Sequence, residues 1–193
     1  MIAFLSLTAF AAEPAIPAAA EGLGKGMHIH LEQTIAAPAD EVWRVLAHEY
    51  VGVDVWSSIV LASRPMTTAD LSEGTTSDPD APVIGRVVTS GFGDVTEALV
   101  MYDEADRTFT FRAGNLPGII AYSQNTHEVH DLGDGTSTVT FDIYVVPKGV
   151  MRLMKGKLRS KLSEGLGHHL EEAAAYIETG ALSEAKQAQL AAR

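Results

Sequence analysis

Glu97 is the side chain best placed to do chemistry in this sequence. It interrupts an otherwise apolar run, Val95-Thr96-Glu97-Ala98-Leu99-Val100-Met101-Tyr102, and a carboxyl group buried in such a strand must be hydrogen-bonded or have its pKa raised. In that state it could serve as a general acid or base and enolise or dehydrate a bound carbonyl compound. The alternative is a structural carboxylate bonded to Tyr122 or to a water. Asp142 interrupts a later apolar run in the same way. Alternation puts Val139, Phe141, Ile143 and Val145 on one face of that strand and Thr140, Asp142 and Tyr144 on the other; with a bulge, either face could turn inward.

Seven histidines invite a metal reading. His28 and His30 share one face of a strand, and His168 and His169 stand near Glu164, Glu171 and Glu172 on a helix. No ligand spacing of the His-Glu-x-x-His type occurs, and His168 and His169 point in different directions. Neither a metal nor another cofactor is expected. The chain contains no cysteine, which removes thiol nucleophiles, disulfides and thiolate metal sites. No nucleophile elbow, phosphate-binding glycine loop or Ser-His-Asp order is visible, so covalent catalysis is not expected.

The elements that must position these residues follow from periodicity. Alternation over 28–35 reads as a first strand. A short amphipathic helix follows, with Pro38 near its start, where a missing N–H costs least, and a second short helical or turn segment covers 51–56. The apolar run 57–63 has strand length. Thr, Ser, Asp and Gly dominate 65–82 and mark an exposed loop. Further strands are expected at 84–90, 95–103, 108–113, 121–132 and 136–146, with tight hairpins at 103–107 and 133–135; successive hairpins imply an antiparallel meander.

A long helix closes the chain over 150–179. Val150, Met154, Leu158, Leu162, Leu166, Leu170, Ala174 and Ile177 fall on one stripe. Gly165 and Gly167 interrupt it, each costing about 1 kcal/mol relative to alanine, which fits either close helix-on-sheet packing or a gap left for a ligand. The expected organisation is a signal peptide at 1–12, a linker at 13–27, one domain at 28–179 and a polar tail at 180–193. The signal-peptide reading rests on an apolar run ending in Ala9-Phe10-Ala11, without the usual preceding cation. Export to the periplasm or medium is expected, with a cytoplasmic protein as the alternative.

A formal net charge of −11 over 193 residues argues against a nucleic-acid partner. Six of the 14 Lys and Arg residues nevertheless crowd into 148–161: Lys148, Arg152, Lys155, Lys157, Arg159 and Lys161. That segment is either a solvated face or a weak contact for a membrane surface. The oligomeric state stays open.

The opening Ile35-Ala36-Ala37-Pro38-Ala39-Asp40-Glu41-Val42-Trp43, the stretch Ile84-Gly85-Arg86-Val87-Val88, the run around Glu97 and Arg107-Thr108-Phe109-Thr110-Phe111 resemble the START-like or Bet v 1-like superfamily, in particular its SRPBCC, polyketide cyclase/dehydrase branch. The resemblance implies an α+β helix-grip fold: a curved seven-stranded antiparallel sheet wrapped around a long C-terminal helix, with two short helices after the first strand. Similarity to the plant abscisic-acid receptors implies lids at Ser90-Gly91-Phe92-Gly93 and Gly114-Asn115-Leu116-Pro117-Gly118. It also implies a ligand-facing Glu97, and a cavity lined by Val88, Leu99, Phe111, Tyr122 and Gln124 beneath Leu166 and Gly167. The receptors' second-strand lysine has no counterpart in 57–63, so a carboxylate hormone is a poor expectation. The reading is a binder, or carrier, of a small hydrophobic, lipid-like or aromatic molecule, with Glu97 and Tyr122 as polar anchors, Asp142 as a further candidate, and Phe92 and Leu116 on lids. The alternatives are a cofactor-independent cyclase or dehydratase using Glu97, and an interaction module whose pocket is filled by its own side chains.

Overall fold

The computed structural model describes residues 15–91 and 93–192. The expected signal peptide and Phe92 lie outside the described residues. Seven strands form one antiparallel sheet in the order β1-β7-β6-β5-β4-β3-β2. They are β1 (Met27–Ile35), β2 (Ala62–Pro65), β3 (Gly85–Ser90), β4 (Gly93–Asp103), β5 (Thr108–Gly114), β6 (Ile120–Asp131) and β7 (Ser137–Pro147). After β1 come the short helix α1 (Ala39–Trp43), a wider turn Arg44–His48 and a 3-10 turn Tyr50–Val55. The chain ends in α2 (Lys155–Thr179) and α3 (Glu184–Ala191). This is the expected helix-grip arrangement: β1 and β2 are the two edges, and the chain meanders from β2 back to β7 beside β1.

Local chemistry sets these boundaries. Pro38 caps α1 from an extended conformation, where its lack of an N–H is harmless. Gly180 takes a left-handed φ of 70° and its N–H bonds the Tyr176 carbonyl, ending α2. Gly85 has φ 153°, and a Cβ there would lie 2.2 Å from the Glu97 carbonyl oxygen. The β3 and β4 backbones can therefore approach only without a side chain at that position.

The core fills the concave side of the sheet. Val139, Phe141, Ile143 and Val145 of β7 are all buried in it, against α1 and the C-terminal half of α2. Trp43, Tyr50 and Phe109 form its aromatic end, with Tyr50 edge-on to Phe109 at 5.5 Å between centroids.

Three expectations need correction. The run 57–63 is not a strand: β2 begins only at Ala62, and residues 57–61 turn back towards α2. A short apolar run cannot be told from a buried turn by composition alone. The apolar stripe of α2 is not uniformly covered. The helix begins at Lys155 rather than at 150; Leu170, Ala173 and Ala174 are buried, whereas Val150 and Met154, which precede α2, are 66 % and 40 % exposed. The C-terminal segment is not merely a polar tail, because α3 packs down and Lys186 is completely buried.

Candidate functional site

Between the N-terminal half of α2 and the sheet lies a cavity of about 900 Å³. That is the size and setting of a site for a drug-sized molecule. Its sheet wall comes from Val88, Val95, Phe111, Phe141 and Ile143, and its roof from Leu158, Leu162, Gly165 and Leu166. Ile59, Leu61, Pro117, Ile119, Met151 and Met154 surround the apolar part of the mouth, and Lys157 and Lys161 add two cations there. A Cβ built on Gly165 would meet nothing within 4 Å, so this glycine leaves open space on the cavity side of the helix rather than easing a backbone contact.

Polar groups are few and concentrated. Arg86 of β3 and Glu97 of β4 are paired across the sheet and both face the cavity, with Arg86 Nε donating to Glu97 Oε2 at 2.5 Å. Arg86 also donates to the Tyr50 carbonyl at 2.6 Å and lies 4.0 Å over the Tyr50 ring. Burial disfavours the Arg86 charge, but the neighbouring Glu97 and Tyr50 oxygens outweigh it and raise its pKa above the ordinary value. Asn125 and His127 of β6, His169 of α2, and Ser58 and Ser90 add further polar lining.

Both histidines are neutral. Burial first, and then the positive field of Arg86, push His127 well below its usual pKa. The same causes take His169 down to about 3. His127 stacks on Phe141 with ring centroids 3.7 Å apart, and His169 Nδ1 is 2.8 Å from Ser57 Oγ. Asn125 Oδ1 and His127 Nδ1 are buried without a hydrogen-bond partner, a state that proteins normally avoid. A void of about 10 Å³ touches His127 and is large enough for one water. Asn125 faces the large cavity alone.

A second layer fixes the rim. The turn 57–61 is tied to α2 by Ser58 N–H donating to Glu172 Oε2 at 2.8 Å. It is tied to α3 by Lys186 Nζ donating to the Ser57 and Val60 carbonyls, and by Gln189 Nε2 donating to the Ser58 carbonyl at 2.6 Å. Glu172 Oε1 accepts from Ser183, the cap of α3, at 2.5 Å. Burial alone would raise the Glu172 pKa, but the Ser183 and Ser58 hydrogen bonds outweigh it and lower it.

The sequence-expected site residues separate into two groups. Val88, Glu97, Phe111 and Leu166 line the cavity. Leu99 belongs to the packed core beyond it. Gly167, although adjacent to Leu166, is not among the lining residues, and neither is half-buried Leu116, whose neighbours Pro117 and Ile119 are. Tyr122, Gln124 and Asp142 are corrections. Tyr122 and Tyr144 pack together, away from the main core, with Ala20 and Val146, and the Tyr122 hydroxyl donates to Gln124 at 2.6 Å. The register with β7 places Asn125 opposite Ile143 and His127 opposite Phe141, so these look inward and Tyr122 and Gln124 outward, while the irregularity between Ile120 and Tyr122 lets Ile120 line the cavity as well. Asp142 pairs with His30 of β1 at 2.8 Å on the outer face. Asn125, His127 and His169 were not expected at the site. His169 could have been found from the stripe, since it stands three residues after Leu166. Among the described residues no cluster of three potential metal ligands occurs.

Residues 27–174 match the family described as polyketide cyclase / dehydrase and lipid transport. No curated protein matches the sequence. Among solved structures, an uncharacterized protein from Bacillus thuringiensis superposes with a TM-score of 0.61 at 17 % identity, covering 78 % of this chain and 98 % of its own. The Zhui aromatase/cyclase from Streptomyces sp. R1128 gives 0.55 at 16 % identity, over 82 % and 100 %. A START superfamily protein from Mycobacterium smegmatis gives 0.52 at 12 % identity, over 75 % and 97 %. At these identities the likeness is one of fold.

Proposed function

Because the chain belongs to the polyketide cyclase / dehydrase and lipid transport family, we propose that it binds one small hydrophobic molecule, lipid-like or aromatic, in the cavity beneath α2. The observation that carries this reading is the cavity of about 900 Å³ with an apolar lining, in a fold that could otherwise have filled the space with side chains. The polar lining refines the ligand. His127 and His169 are neutral, and Arg86 is already paired with Glu97, so the interior offers no free charge to an ionised group. It offers the Asn125 amide oxygen, which has no partner and can accept from a hydroxyl on an apolar body. An acidic group on the same ligand would be met at the rim by Lys157 and Lys161. Native mass spectrometry of the protein incubated with hydroxylated polycyclic and long-chain compounds should show one equivalent bound, and uniform absence of adducts would contradict the reading.

The second reading is catalytic. The Glu97 carboxylate faces the cavity, and a carboxylate there can take a proton from, or return it to, a bound carbonyl compound. A named activity in the superposed aromatase/cyclase gives this reading its reaction class, a cofactor-independent cyclisation or dehydration. Turnover lost on replacing Glu97, with ligand affinity retained, would favour it over simple carriage.

A further inference from the structure

The cavity mouth is bordered by a surface unlike the rest of the molecule. The 3-10 turn Gly149–Arg152 and the start of α2 hold Val150 66 % exposed and Leu153 89 % exposed, and Ile119 beside them is 44 % exposed. Large apolar side chains this open, and adjacent to one another, are an interaction surface rather than scattered surface residues. The same stretch, 148–161, carries Lys148, Arg152, Lys155, Lys157, Arg159 and Lys161 and no Asp or Glu. The rest of the chain has only eight Lys and Arg against 25 Asp and Glu. Arg152 and Lys155 donate to the carbonyls of Leu23 and Lys25, contacts that hold the segment in place without neutralising its charge.

We infer that this face docks the protein on an anionic lipid surface, with Leu153 and Val150 entering the interface and the six cations against the head groups. The charge pattern selects the partner. A protein of net charge −11 is repelled as a whole by an anionic membrane, so a concentrated basic patch both attracts and orients it. A second copy of the chain is the weaker occupant, since a two-fold contact through this face would set its six cations against their equivalents. Docking in this orientation brings the mouth, with Met151, Met154, Lys157 and Lys161 on its rim, against the lipid. An apolar ligand could then pass between bilayer and cavity without crossing water. That last step rests on the binding reading above; the docking does not.

The test is co-sedimentation of the intact protein with phosphatidylcholine vesicles, with and without about a third phosphatidylglycerol. Binding is expected only to the anionic vesicles and should fall with added salt. Leu153→Glu should weaken it roughly tenfold or more. Lys148→Gln combined with Arg159→Gln, both outside the cavity lining, should weaken it by roughly 25-fold, about fivefold for each cation lost from the surface. Leu132→Glu is the control: Leu132 is 52 % exposed in the β6–β7 hairpin, at the far end of β6 and roughly 40 Å from the mouth at strand rise, and it should change nothing. Equal binding to neutral vesicles, an unaltered Leu153→Glu variant, or a dimer by light scattering that Leu153→Glu converts to monomer would overturn the inference. Binding of N-phenyl-1-naphthylamine in free solution, which Leu153→Glu should leave intact, reports on the cavity separately.

Discussion

Arg86 and Glu97 face the cavity as a directly bonded pair, 2.5 Å from nitrogen to oxygen, each on a neighbouring strand and each largely withdrawn from solvent. The pair is internally neutral, and the other charged side chains among the described lining residues are Lys157 and Lys161 at the mouth.

Breaking that pair tests what it is for. Glu97→Gln leaves the buried Arg86 guanidinium without its countercharge, so we expect a loss of about 3 kcal/mol in denaturant unfolding. A companion Arg86→Met/Glu97→Leu variant should recover most of it, since well-packed apolar residues replace a buried ion pair at little net cost. Under the carrier reading Glu97→Gln keeps its apolar-ligand affinity within a few-fold; under the enzymatic reading turnover falls roughly 100-fold or more.

Gly165 separates cavity from packing. Gly165→Leu should raise helix stability by about 1 kcal/mol and place its side chain in space that is now open, lowering the affinity for an apolar fluorophore at least tenfold. Gly167→Ala makes the matching control. It also meets nothing within 4 Å but does not line the cavity, so the thermal midpoint should rise with no change in fluorophore binding.

Stability should depend on pH through the two buried histidines. Both have folded pKa values below the ordinary one, His169 at about 3, while the unfolded chain titrates near 6.5. Below about pH 6.5 the unfolded state therefore binds protons that the folded state refuses. The contribution is complete above that pH and is lost as pH falls towards the folded value, at up to about 1.4 kcal/mol per pH unit for each histidine. Chemical unfolding between pH 7.5 and 4.5 should show this slope, and His127→Phe, which keeps the stacking on Phe141, should roughly halve it.

Lys186 is a clamp on the cavity rim. Its ammonium donates to Ser57 and Val60 carbonyls and to Gln189 at 2.5 Å. Lys186→Met preserves the stem and strands those carbonyls, at an expected cost of about 2 kcal/mol. Hydrogen exchange should quicken at the Ser58 and Leu61 amides, which bond Glu172 and the Thr89 carbonyl in the intact protein, while the β6–β7 ladder stays protected.

Much of the fold was legible because its signals are local. Alternation in β1 and β7, glycine and aspartate hairpins and the α2 stripe depend on neighbours in sequence. What was not legible depends on long-range choices. Tyr122 and His127 lie on one strand, and which faces the cavity turns on the register with β7, which sets His127 opposite Phe141 and Tyr122 opposite Val146. Asp142 has no preferred face until β1 brings His30 beside it. The polarity of 180–193 suggested a tail, because nothing local indicates that Lys186 would find two carbonyl acceptors in a turn more than a hundred residues earlier. Glu97 stood out in sequence through its apolar surroundings, but its partner proved to be Arg86, one strand away, rather than Tyr122.

The most direct test of the binding account is an equilibrium titration of the protein with N-phenyl-1-naphthylamine, read by its emission. The account predicts a blue-shifted, saturable signal at one site per chain with micromolar or tighter affinity, displaced by hydroxylated apolar competitors and lost in Gly165→Leu. A signal that is absent, unsaturable or unaffected by Gly165→Leu would contradict it.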